Sequence, residues 1–323
     1  MNITIVAFDL WGFNKKIVDH LIKQGHEVTF LDLNAINYIY KSKWQRAGNF
    51  LNKVFFGKNI KKDYRNKTLI KRISELPKQD YVLIVNPNQF RNDIRLLLRN
   101  KTTNFIAYNY DSLARIPLPE NHNELFDKIF SFDIEDVQKN SYLTLLTNFI
   151  YLDKLPYLQI QNKAFMILSK SYEREVLLSR IANIFDKKGI YNYEFIVANP
   201  ATKKVNKRIH LTEKHIKLDI VIDKMKNAEI LIDLVRPNQT GLSFRIFEAM
   251  ALQKKIITNN QTIKKYDFYN SNNILVINNQ VDDIADEFLT KPYEEIPEKI
   301  YYKYTLENFI NTLFPNLKKK NNA

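Results

Sequence analysis

A chain of 323 residues, 45% hydrophobic with only 6 Gly and 10 Pro, has the material for two domains of ordinary size and is too apolar to be disordered. Zero Cys excludes a disulfide framework, a thiolate metal site and a cysteine nucleophile, and fits a reducing compartment. A formal net charge of +14 raises the question of an anionic partner; it fits a functional basic surface and a chain rich in Lys throughout equally well.

Ile3 to Phe8 reads as a strand, Asn14 to Lys23 has helical spacing, and Glu27 to Leu33 reads as a second strand after a turn at Gly25. The first turn, D-L-W-G-F-N, carries Asp9, Trp11 and Gly12. Its single glycine rules out a dinucleotide fingerprint. Lys41 to Lys71 is basic and helical; the Lys/Arg-rich stretch from Lys41 to Arg72, interleaved with Trp44, Phe50, Phe55 and Phe56, fits either a solvated face or a surface for anionic lipid. Apolar runs at Tyr81 to Val85, Asn104 to Ala107 and Lys128 to Phe132 alternate with helical patterns at Phe90 to Arg99 and Ile134 to Lys139, as in a parallel α/β sheet. The pattern breaks between Leu152 and Asn162, where a domain boundary is expected. A second series follows, with strands at 164–168, 193–198, 229–235, 255–258 and 274–277 and helices at 172–187, 218–226, 242–252 and 282–289. The end, Glu298 to Leu317, is aromatic and helical and runs into lysines at 318–320. No apolar run approaches the roughly 18 residues a membrane span needs, and the first 30 residues lack a signal-peptide pattern, so a cytoplasmic location is expected.

The stretch Asn227 to Asn259 concentrates the chemistry. A strand ends at Val235, a breaker loop runs from Arg236 to Gly241, and the helix that follows carries only two charges, Arg245 and Glu248, roughly 60° apart. They fit a local ion pair. They also fit a binding site: a helix N-terminus preceded by Thr240, Gly241 and Ser243, with Arg236 at the mouth of the loop, suits an anion, and a carboxylate one turn in suits the vicinal diol of a ribose. Lys170 and Arg174 follow the first strand of this half, where ligands of parallel sheets collect; an exposed helix start with Arg174 paired to Glu173 or Glu175 fits equally well. Asp111, after the strand ending at Ala107, is the first candidate for a general base, and a turn or N-cap role fits it as well; Asp9, after the first strand, is the second candidate. Asp133 reads mainly as an N-cap.

The run R-P-N-Q-T-G-L-S-F-R-I-F-E-A-M-A-L-Q-K-K-I-I-T resembles the donor-site signature of GT-B glycosyltransferases, particularly the bacterial type that builds capsular, exopolysaccharide and lipopolysaccharide glycans. Y-N-Y-D-S-L-A-R-I-P and F-D-K-I-F-S-F-D-I-E-D look like N-terminal features of the same relatives. The resemblance implies an α/β fold of two Rossmann-like domains with parallel sheets facing a central cleft. Residues 1–155 would form the acceptor-side domain, with Trp11 and Gly12 on the acceptor side; residues 156–297 the donor domain; and residues 298–323 a helix packing back on the first domain, with a basic tail. It further implies a nucleotide-sugar donor gripped by Lys170, Arg174, Arg236, Gln239, Thr240, Gly241, Leu242, Ser243 and Arg245, with Glu248 on the ribose. The acceptor would be a glycan or lipid-linked glycan at an anionic inner membrane. Thr240 stands where the retaining pattern has the first of two glutamates, which leaves the stereochemistry open. No Asp-x-Asp or His-Glu-x-x-His occurs, so no metal and no cofactor beyond the nucleotide-sugar co-substrate is expected. The alternatives are a GT-B subunit that has lost transfer and binds a glycan or partner transferase, and a nucleic-acid-binding α/β protein suggested by charge alone.

Overall fold

The computed structural model describes residues 1–155, 160–202, 205–214 and 216–317. The lysines at 318–320, part of the expected boundary segment (156–159) and His215 lie outside the described residues. The chain divides into two compact units. One comprises Met1–Ser131, Asn140–Leu145 and the chain from Ile310 onward; the other comprises Phe132–Lys139 and Leu146–Phe309. Each has its own parallel sheet, so the expected fold class of two Rossmann-like α/β domains holds.

From the N-terminus the elements are β1 (Asn2–Ala7), α1 (Phe13–Lys23), β2 (Glu27–Asp32), α2 (Lys43–Phe56), α3 (Ile60–Glu75), β3 (Tyr81–Val85), α4 (Asn92–Arg99), β4 (Phe105–Asn109), α5 (His122–Leu125), β5 (Lys128–Ser131), α6 (Ile134–Lys139) and β6 (Leu143–Leu145). The strand order is β2-β1-β3-β4-β5-β6, all parallel. β3 and β4 are buried along their whole length, which is why Y-V-L-I-V and F-I-A-Y-N lack the alternation of a half-exposed strand. α1 packs Ile17, Val18 and Leu21 on this sheet. The single helical stretch expected over Lys41 to Lys71 is two helices. Gly57 ends α2 at φ 64°, a left-handed conformation that a residue with a Cβ adopts only at a cost. Late in the chain, Phe314 meets the Tyr81 ring edge-on at 5.3 Å.

The chain continues with β7 (Asn162–Ser169), α7 (Tyr172–Lys187), β8 (Tyr193–Ala198), β9 (His210–Thr212), α8 (Leu218–Lys226), β10 (Ala228–Asp233), α9 (Phe244–Leu252), β11 (Lys255–Thr258), β12 (Ile274–Val276), α10 (Asp286–Thr290), α11 (Glu298–Lys303) and α12 (Leu306–Leu313), the last passing from the second unit into the first at Ile310. The second unit carries the second sheet. Its order is β12-β11-β10-β7-β8-β9, again parallel throughout. Leu177, Leu178, Ile181 and Phe185 of α7 share one core with Met166, Phe195, Ile230 and Ile232 of the strands. β9 was not expected, because H-L-T offers neither an apolar run nor alternation; it is an edge strand paired to β8 alone.

Lys254, between α9 and β11, is 5% exposed, and Ile246, Met250, Ile256, Phe268 and Ile274 line the space around it. Burial lowers its ammonium to about 8, against a smaller opposite pull from Glu229. The unfolded chain therefore binds the extra proton between about pH 8 and the ordinary lysine value near 10.4, and wild-type stability rises with pH across that window. At pH 7 the buried charge costs up to about 3 kcal/mol. Lys254→Met is expected to unfold at higher urea than wild type at pH 7 and to lose that advantage near pH 10.5. Equal midpoints at pH 7 would contradict the assignment.

Candidate functional site

In the second sheet the strand order reverses between β7 and β10, and ligands of doubly wound sheets bind outside the carboxyl ends of the strands at such a reversal. The sequence supplies three cations there. Arg236, exposed just beyond β10, donates from Nη2 to Ser169 Oγ at the end of β7 (3.0 Å). Arg174, in the first turn of α7, donates from Nη2 to the Ser169 carbonyl (2.9 Å) and from Nη1 to the Leu234 carbonyl (3.4 Å). Lys170 is exposed in the turn between β7 and α7. Arg174 thus turns to strand-end carbonyls, and its neighbour Glu175 is committed elsewhere. Fully buried, Glu175 accepts from the amides of Ser171 (3.0 Å), Ala201 (2.8 Å) and Thr202 (2.9 Å), fixing the loops after β7 and β8. Nothing in the sequence pattern marked Glu175 for that role.

The loop from Arg236 to Ser243 is fastened on several sides. Thr240 Oγ1 donates to the Asp133 carboxylate (2.7 Å), and the Gly241 amide donates to the same group (3.0 Å). Asp133 is fully buried and also accepts from the Glu135 amide (2.9 Å), so it caps α6 as its position suggested while holding a loop 107 residues away. The Thr240 carbonyl accepts from Asn260 Nδ2 (2.9 Å) and Thr262 Oγ1 (2.6 Å), and the Leu242 carbonyl from Asn148 Nδ2 (2.9 Å). The Gln239 amide closes a turn onto the Arg236 carbonyl (3.3 Å). Gly241 is required by close packing: a Cβ there would lie 2.3 Å from the tip of the buried Phe132 ring.

Ser243 is the N-cap of α9, accepting from the Arg245 amide (3.2 Å) and donating to Asp233 Oδ1 (2.6 Å). Burial raises the Asp233 carboxyl above the ordinary carboxylate range; the Ser243 hydrogen bond and the charges of Arg245 and Arg174 pull the other way. One turn into α9, Glu248 is 4% exposed. Its Oε2 pairs with Arg245 Nη1 (3.2 Å), the i,i+3 ion pair the spacing allowed, and its Oε1 accepts from the Tyr151 hydroxyl. Burial, followed by the Glu248 charge, holds the Tyr151 hydroxyl well above its ordinary value, so it stays a donor. The Arg245 guanidinium lies over the Phe165 ring, 5.9 Å from its centroid.

In the first unit the order reverses between β1 and β3. Asp9, just past β1, accepts from the Lys15 amide (2.9 Å) and the Asn14 amide (3.4 Å) at the start of α1. Gly12 is the left-handed N-cap of that helix, at φ 79°, and Trp11 beside it is exposed. Asp111, beyond β4, pairs with Arg115 (2.6 Å). The Tyr110 hydroxyl is pushed up to about 12 by burial first and then by the charges of Asp111 and Asp9, so both candidate bases act on one phenol. Sequence reasoning passed over two buried amides at the same strand ends. Asn86, left-handed at φ 50°, accepts from the Tyr110 amide (3.1 Å), and Asn109 places its side-chain amide in the interior at the end of β4. Among the described residues no group of three or more His, Asp or Glu side chains is placed to hold a metal ion, and no helix is long and apolar enough to cross a membrane.

No family model matches the chain, and no curated protein sequence does. Solved structures match along nearly its whole length. A UDP-forming α,α-trehalose-phosphate synthase from Burkholderia xenovorans is 12% identical over 97% of this chain and 98% of its own, with a TM-score of 0.57. An α-glucosyltransferase in complex with UDP and a 13-mer DNA is 13% identical over 97% and 95%, with a TM-score of 0.55. UDP-GlcNAc 2-epimerase from Neisseria meningitidis, bound to UDP-GlcNAc, is 12% identical over 98% and 100%, with a TM-score of 0.54. The likeness is one of fold, a GT-B-like pair of Rossmann units.

Proposed function

We propose that this chain is a glycosyltransferase that moves a sugar from a nucleotide-sugar donor to a glycan or lipid-linked glycan of the capsular or lipopolysaccharide kind, on the cytoplasmic side of the membrane and without a metal ion. The observation that carries the reading is the convergence of Arg174 and Arg236 on the carboxyl ends of β7 and β10, where the sheet reverses. On this reading the donor diphosphate lies against Lys170, Arg174 and Arg236 and the loop from Gln239 to Ser243. The cations offset the charge that grows on the leaving diphosphate as its bond to the anomeric carbon breaks. Glu248 accepts from the ribose hydroxyls in place of the Tyr151 hydroxyl. The acceptor hydroxyl attacks the anomeric carbon and its proton passes to Asp111, which Arg115 orients.

A second reading, a GT-B subunit that binds sugar nucleotide or glycan without transfer, is favoured by one feature. Both oxygens of Glu248 and the amide of Gly241 are engaged by the chain itself. Turnover separates the two. Wild type incubated with nucleotide sugars and glycan acceptors is expected to release nucleoside diphosphate, and Asp111→Asn to lower kcat by roughly two to four orders of magnitude with donor affinity unchanged. Normal turnover in Asp111→Asn would remove it as the base, and donor binding without turnover by wild type would establish the second reading.

A further inference from the structure

A helix on a globular surface ordinarily turns its apolar stripe to the core. α2 does the reverse. At 100° per residue Trp44, Ala47, Phe50, Leu51, Val54 and Phe55 share one arc about 140° wide. All six are exposed, Trp44 at 86% and Phe55 at 71%, and α2 has no buried residue. On the opposite edge, which also carries the exposed Phe56, Asn49 ties the helix to the chain: its Nδ2 donates to the Tyr40 hydroxyl (2.8 Å) and its Oδ1 accepts from the Ile60 amide (2.9 Å). Ser42 caps the first turn and Gly57 closes the last, so the helix is formed before anything covers it. The stretch from Lys41 to Arg72 holds eleven Lys and Arg against a single Asp, most of the net charge of +14.

From this we infer that α2 is an interfacial helix that seats its apolar arc in the outer layer of an anionic phospholipid bilayer, with Lys43, Arg46 and Lys53 among the headgroup phosphates. The pairing of features selects this occupant. Nucleic acid would use the cations and has no place for a contiguous Leu51, Val54 and Phe55 surface, whereas acyl chains do. A second copy of the chain would set eleven cations against eleven. Lipid headgroups neutralise the charge while the hydrocarbon beneath takes the rings. The inference goes beyond the sugar-transfer reading and stands or falls without a substrate.

The chain has two tryptophans, so Trp11→Phe leaves Trp44 as sole reporter. Phosphatidylglycerol vesicles at low salt are expected to shift Trp44 emission to the blue and, when brominated, to quench it. Phosphatidylcholine vesicles are expected to do neither, and high salt to reverse much of the binding. Phe50→Ser with Phe55→Ser alters only exposed side chains, so circular dichroism is expected to be unchanged while vesicle partitioning falls at least about tenfold. Unshifted Trp44 emission, lipid binding that survives the double substitution, a dimer that the double substitution abolishes, or preference for RNA or DNA over vesicles would each overturn the inference.

Discussion

Arg236→Ala is expected to weaken binding of a nucleoside diphosphate by one to two orders of magnitude and to leave affinity for the free nucleoside unchanged. Arg236 is exposed at the carboxyl end of β10 and reaches across to Ser169 Oγ (3.0 Å), so its guanidinium stands over the strand ends. A hydrogen bond to a charged group is worth roughly 1.5 to 3 kcal/mol, or about 10- to 150-fold in affinity. No buried partner is orphaned by its loss, so stability without ligand should change by less than about 0.5 kcal/mol. Glu248→Gln should also weaken the nucleotide, but with a stability cost, because Arg245 loses its counter-ion in the interior. Tyr151→Phe distinguishes the two roles of that carboxylate. If Glu248 serves the ribose, removing the competing hydroxyl leaves affinity equal or tighter; if Glu248 is only a strut, both substitutions destabilise the fold and neither alters nucleotide affinity. Calorimetric titration of the three variants gives the answer.

The largest effect on stability is expected from Asp133→Ala. The substitution leaves Thr240 Oγ1, the Gly241 amide and the Glu135 amide without their acceptor at a position with no exposure. Each orphaned donor costs roughly 1 to 3 kcal/mol, and the sum, discounted for relaxation, is about 3 to 5 kcal/mol. For a unit of this size that lowers the melting temperature by on the order of 10 °C. Nucleotide affinity should fall with it, since the loop loses the anchor that sets its shape. Gly241→Ala attacks the same junction from the packing side by driving a methyl into the Phe132 ring, at about 1 to 3 kcal/mol. A wild-type melting temperature in Asp133→Ala would mean that the carboxylate does not hold the loop.

What was legible in the sequence follows from range. Parallel strands buried on both faces announce themselves as short apolar runs, so β1, β3, β4, β7, β8, β10 and β11 were readable, and their alternation with helices implied two doubly wound sheets. β9 was not, because three residues at a sheet edge carry no periodicity. The break between α2 and α3 turns on one residue, Gly57, in a stretch that is helical in composition on both sides. The loop after β10 was visible from its Pro, Asn and Gly punctuation, and the position of Arg236 at its mouth came with it. The partners were hidden by distance along the chain. Asp133 lies 107 residues from Thr240 and Tyr151 lies 97 from Glu248, and no local pattern encodes either contact. Glu248 also shows where reading a single helix stops: spacing allowed the Arg245 ion pair and the diol equally, and the structure adds a third claimant in Tyr151.

Thermal unfolding of the wild-type chain and of Arg236→Ala, each with a panel of nucleoside diphosphate sugars, tests the central claim most directly, because a ligand that binds only the folded state raises its stability. At a concentration of about 100 Kd one or more members should stabilise the wild type by roughly 2.7 kcal/mol, a shift of several degrees, and the same concentration should give a much smaller shift in Arg236→Ala. A panel in which no member shifts the wild type, or in which the shifts are identical in the two proteins, would contradict a nucleotide-sugar site at the carboxyl ends of β7 and β10.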